Sequence, residues 1–169
     1  VKKIIGYALA LVMFSSMYAV ADEVKGTLTA NGQTSPLKYA VAYETDSVSE
    51  PGYMDVVVVI SDRELPSAVV RNRERLEEMA KKDGLAALRV TLSPGAKVMN
   101  AEPIHPAFKT FVSSALWAKW TPTAYNEQKV AGRLYTEGMQ DEFKQKWQYD
   151  VTFSAPILLD PLAKTKKTK

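Results

Sequence analysis

Lys146–Ile157, KWQYDVTFSAPI, alternates without a fault. Trp147, Tyr149, Val151, Phe153 and Ala155 fall on one side of an extended chain. Lys146, Gln148, Asp150, Thr152 and Ser154 fall on the other. A strand with one apolar and one polar face is half-buried, and half-buried strands belong to antiparallel sheets. Met54–Ile60, MDVVVVI, reads differently, because its apolar run from Val56 to Ile60 is unbroken. Such a run suits a strand buried on both faces, as in a parallel sheet covered by helices.

The rest of the chain decides between the two. Val24–Ala30 alternates, and Asn31-Gly32 follows before QTSPLKYAVAYE. An Asn-Gly pair between alternating runs predicts a hairpin, because both turn residues take positive φ. On the second strand Leu37, Tyr39, Val41 and Tyr43 would share a face. LAALRVTLS, AKVMNAEPI and KVAGRLYT add strands, with Ser93-Pro94-Gly95 as a turn and Pro103 and Pro106 ending the second of them. Phe111–Thr121 is expected as an aromatic strand stopped by Pro122.

A helical period occurs over Ser67–Asp83, where Val69, Leu76, Met79 and Ala80 repeat at three and four. Pro66 suits its start and Gly84 its end. Arg73/Glu77, Glu77/Lys81 and Glu78/Lys82 are pairs of opposite charge one turn apart.

The expected fold is therefore mostly β: an antiparallel sandwich or barrel of about eight strands with one helix packed on the outer face. In that fold Met54, Val56, Val58 and Ile60 face the main core. Val57 and Val59 then require the apolar stripe of the helix as cover.

Residues 1–21 combine Lys2 and Lys3, an apolar stretch and Ala19-Val20-Ala21, the order of a secretory signal with cleavage after Ala21. The expectation is a periplasmic or secreted product, with residues 22–160 as one β-rich domain and 161–169 as a basic disordered tail. Cysteine is absent, so neither a disulfide framework nor a lipid-modified cysteine is available. Beyond residue 21 the chain has 20 basic and 19 acidic residues, and four of the basic ones are Lys164, Lys166, Lys167 and Lys169. Without them the balance is −3. The body thus lacks the cationic excess of a nucleic-acid-binding face.

The chemistry-bearing residues are sparse. His105 is the single histidine, so any Ser-His-Asp arrangement must use it. Set between Pro103 and Pro106, it reads as a turn histidine with no special partner. Zinc lacks ligands. Asp46, Glu50 and Asp55 flank one loop and read as a solvated acidic loop rather than a calcium site. Ser35 and Lys38 match a serine-acylation spacing, but in a strand they point to opposite faces.

Asp62 and Glu64 form the possible acidic site, with Asp150 as the partner a carboxylate-dependent hydrolase would need. Trp117, Trp120 and Tyr125 are the candidate ligand-contact residues. Trp117 and Trp120 are three apart, so one of them should remain partly exposed. No cofactor is expected.

The strings Gly26–Gly32, Leu37–Tyr43, Val58–Asp62 and Tyr149–Ile157 resemble a group of uncharacterised secreted bacterial proteins. That resemblance implies export and no particular activity. The reading is an exported non-enzymatic binding or accessory protein. A barrel carrier of an apolar or sugar ligand, the hydrolase, and a module that binds through a strand edge are the rivals.

Overall fold

The computed structural model describes residues 23–113 and 115–158. The expected signal segment and basic tail lie outside the described residues. Ten strands run β1 (Lys25–Ala30), β2 (Gln33–Leu37), β3 (Tyr39–Asp46), β4 (Met54–Ser61), β5 (Ala87–Leu92), β6 (Val98–Ile104), β7 (Lys119–Tyr125), β8 (Lys129–Tyr135), β9 (Gln140–Glu142) and β10 (Gln145–Leu158). Two helices, α1 (Ser67–Val70) and α2 (Arg73–Asp83), sit between β4 and β5. The strands form one curled, mixed sheet with the shape of a half-barrel. Among the described residues no helix is long and apolar enough to cross a membrane.

β10 is the spine. Its alternation holds over 14 residues, with every second side chain buried. It pairs antiparallel with β1, β8 and β9, and its last two residues pair parallel with β3. From β3 the sheet continues through β4 and β5 to β6. The parallel junction makes the sheet mixed, where a wholly antiparallel one was expected.

β4 carries the sheet's two faces. Val56, Val58 and Ile60 pack into the main core with Leu88, Val151 and Phe153. Val57 and Val59, each 1% exposed, pack with Leu76 and Ala80 of α2 in a second core. Covering each such side chain is worth roughly 2 kcal/mol. The unbroken valines therefore mark where the helix docks, as expected.

Four local expectations need correction. The second strand is two strands: the chain turns at Lys38, whose N–H donates to the Ser61 carbonyl. Leu37 thus joins the main core while Val41 and Tyr43 lie on the helix side, and Tyr39 is exposed. The helix is interrupted at Asn72, whose side chain accepts from Arg75 N–H and caps α2. Gly84 closes α2 at φ 70°, a left-handed C-cap. Finally, Pro103 and Pro122 lie inside β6 and β7. Both strands pair on one side only, so no ladder bond requires the missing N–H.

Residues 111–113 and 115–118, ahead of β7, are not in a strand. Within β7, Trp120 stacks on Phe153 at 5.5 Å and 20°. Phe153 faces Gly132 of β8 in register. A Cβ at Gly132 would meet the Trp120 ring at 2.7 Å, so only glycine lets the indole lie across β8 onto the core.

Candidate functional site

The charged corner after β4 is occupied with holding the helix. The Arg63 guanidinium donates to both oxygens of Asp62 at 2.9 Å and to the carbonyls of Asp83 and Gly84 at 3.2 Å. It thereby satisfies the last carbonyls of α2 and puts a cation at the negative end of the helix dipole. Glu64 is exposed.

Asp150 accepts two bonds from Arg133, at 2.8 and 2.7 Å, on the outer face of β8 and β10. That partner lowers the Asp150 pKa. A hydrolytic pair needs one carboxyl with a raised pKa to donate a proton. Here Asp62 and Asp150 are committed to different arginines on different elements.

His105 differs from expectation. It is 1% exposed, and its Nε2 lies 3.0 Å from Ser35 Oγ. Nδ1 accepts from the Ala107 N–H at 3.1 Å, so the neutral ring carries its proton on Nε2 and donates it to Ser35. A catalytic serine needs the opposite tautomer, with Nε2 free to accept. Burial pulls the His105 pKa down, partly opposed by Asp62. The histidine thus pins the segment that follows β6 to β2.

The acidic loop gathers no metal set: among the described residues no three of His, Cys, Asp and Glu are placed to hold an ion. Asp55 is buried, and its Oδ1 lacks a hydrogen-bond partner.

The aromatic residues divide cleanly. Trp147 and Tyr149 belong to the main core, whose interior is filled by Leu28, Leu134, Val151 and Phe153. Burial raises the Tyr149 pKa. Tyr125 donates to the Ser93 carbonyl at 2.7 Å, tying β7 to the β5–β6 turn. Its pKa is pushed up to about 12, chiefly by burial, with Asp55 and Glu44 adding to it. Trp120 is packed on Phe153. Trp117 alone of the three candidates stands out, at 37% exposure.

Trp117 leads to the feature that sequence reasoning missed. Its Nε1 donates to Glu142 Oε1 at 2.7 Å, beside the β9–β10 turn. That turn is Phe143-Lys144, with φ of 52° and 61°. Phe143 is 85% exposed and Leu116, next to Trp117, is 71% exposed.

Three segments meet at this end of the half-barrel: the Asn31-Gly32 turn, residues 105–110 after β6 and the β9–β10 hairpin. Gln145, 2% exposed, joins them. Its Oε1 accepts from Asn31 Nδ2 at 2.7 Å and from Lys109 N–H at 3.5 Å, and its Nε2 donates to the Thr110 carbonyl at 2.9 Å. Asn31 also donates to the Ala107 carbonyl and accepts from Lys146 N–H. A satisfied amide network centred on one buried glutamine fixes loop geometry.

A second missed cluster lies beneath α2. Glu102, 5% exposed, accepts from Arg73 at 2.6 Å and from Arg89 at 2.5 Å. Arg89 and Glu102 are register partners on β5 and β6. Each carboxylate oxygen has its own arginine, so the cluster is a structural clamp between helix and sheet.

No protein-family model matches the chain, and neither a curated protein nor a solved structure is significantly similar to it.

Proposed function

We propose that this is an exported, non-enzymatic binding or accessory protein, and that it makes contact through the loop end around Trp117 and Phe143. The supporting observation is Phe143 itself. A large aromatic side chain stands 85% exposed on a turn whose two residues both take positive φ. Strained backbone under an exposed aromatic is a feature of contact sites. The frame beneath it is rigid, which is how β folds present binding loops.

Two further facts favour this end over the rivals. His105, Asp62 and Asp150, three of the groups a hydrolase would need, are engaged in structural bonds, and Glu64 is exposed to solvent. Of the strands that pair on one side only, β2, β6 and β7 each contain a proline, at Pro36, Pro103 and Pro122, and the fourth, β9, is three residues long. Proline on an edge strand blocks addition of a partner strand. Export follows the composition of residues 1–21.

A photo-crosslinking residue placed at 143, with Glu74 on α2 as the control position, tests the reading in envelope preparations of an expressing bacterium. Adducts at 143 and none at 74 are expected. Silence at 143 sinks the proposal.

A further inference from the structure

We infer that the partner of this end is the interface of an anionic lipid bilayer, an inference that rests on the binding reading above. The apolar contact is small: Phe143 exposed at a hairpin tip, the Trp117 indole tied to that hairpin through Glu142, and exposed Leu116 next to Trp117 in the chain. A stable protein interface buries about 800 Å² on each partner, around an apolar centre. A tip of three side chains does not supply that. A bilayer needs no complementary pocket and accepts single inserted aromatics.

The charges around the tip fit the same partner. Lys144 adjoins Phe143 in the turn, and the Lys109 backbone lies against Gln145 at the root of the hairpin. Among the described residues neither lysine has an ion-pair partner. Their acidic neighbours are engaged: Asp141 lies 3.8 Å from Lys146, and Glu142 holds the Trp117 indole. Lysine stems extend along an apolar insertion while the ammonium stays at phosphate level. Tryptophan, with an apolar ring and one N–H, suits that same depth. The arrangement is a Phe and a Leu for the acyl boundary, an indole for the headgroup layer, and two lysines, without an ion-pair partner among the described residues, for lipid phosphates.

Flotation with phosphatidylcholine vesicles, with and without one-third phosphatidylglycerol, tests this on the exported protein. The expected result is weak binding to the anionic vesicles only, with a blue shift of tryptophan emission from Trp117. Phe143→Gly should weaken binding about tenfold or more, from loss of one inserted aromatic. Glycine tolerates the positive φ at 143, so this variant should melt no lower than the parent. Lys144→Gln should weaken anionic binding about fivefold and leave neutral vesicles unaffected.

Binding that Phe143→Gly leaves unchanged overturns the inference, because it would then run through another part of the molecule, such as the lysines after residue 160. Absence of vesicle binding by the parent protein overturns it too. In that case, crosslinks from position 143 to a protein would leave the binding reading standing. Silence in both experiments ends both.

Discussion

Two hairpin turns lie side by side at the same end of the half-barrel, and they could hardly differ more in sequence. Asn31-Gly32 joins β1 to β2, and Phe143-Lys144 joins β9 to β10. Both loops are two residues long, and both hold positive φ at each residue: 47° and 83° in the first, 52° and 61° in the second. The first has the residues this geometry favours. Its asparagine also works, bonding Ala107, Gln145 and Lys146. The second has residues that the geometry disfavours, at about 1 kcal/mol each. The Phe143 side chain gives nothing back to the fold, since it is exposed. One turn is built for stability and the other tolerates strain to display a side chain.

Exchanging the turn residues is the sharpest way to break that contrast. Putting Phe-Lys at 31–32 (Asn31→Phe with Gly32→Lys) removes three side-chain bonds and places lysine at a strained φ. The expected loss is roughly 3–4 kcal/mol in denaturant unfolding. A loss under about 1 kcal/mol would mean that Asn31 does not hold the loop end. The reverse exchange, Phe143→Asn with Lys144→Gly, should raise stability by about 1–2 kcal/mol. A fall instead would show that Phe143 and Lys144 contribute packing, and the display argument would fail with it.

The same contrast explains what the sequence revealed. Asn31-Gly32 was legible because its chemistry names its geometry. β10 and the helix-side valines of β4 were legible for a related reason: periodicity states which face is buried. Phe143-Lys144 contradicts its own local chemistry, so no short-range signal marks it. The proline-bearing strands β6 and β7 were misjudged because a proline is permitted where one side of the ladder is empty. That condition is set by topology, not by the segment.

The clamp of Arg73, Arg89 and Glu102 depends on a cross-strand register between β5 and β6. Arg89 and Glu102 both occupy outward positions of alternating strands, and that was the available signal. Gln145 reaches Asn31 across 114 residues of sequence. The expectation was that one of Trp117 and Trp120 stays partly exposed; Trp117 does, although its loop, not a strand alternation, is the cause. Trp120, Tyr125 and Asp62 each have a partner within the fold: the Phe153 ring, the Ser93 carbonyl and the Arg63 guanidinium.

The two anchors of the loop end also differ in a way that pH exposes, with the smallest expected effect. Gln145 holds the hairpin side and does not titrate. His105 holds the other side through Ser35, as a buried neutral ring. Its pKa lies below the ordinary 6.5, because burial penalises the cation more than Asp62 favours it. In the unfolded chain the imidazole takes up a proton near 6.5, while in the folded protein it does so only at lower pH. Between those two values the unfolded state holds more protons, so stability falls as pH drops. Above the unfolded value both states are neutral and this group adds no slope. Unfolding measured at about pH 7.5 and about pH 5.5 should therefore show a loss in the parent that His105→Gln reduces. Amide exchange locates it: protection at Ala107, bonded to His105 Nδ1, should decline with acid, while protection at Lys146, bonded to Asn31 Oδ1, stays constant once exchange chemistry is corrected for. Equal decline at both amides would show the two anchors to be one cooperative unit.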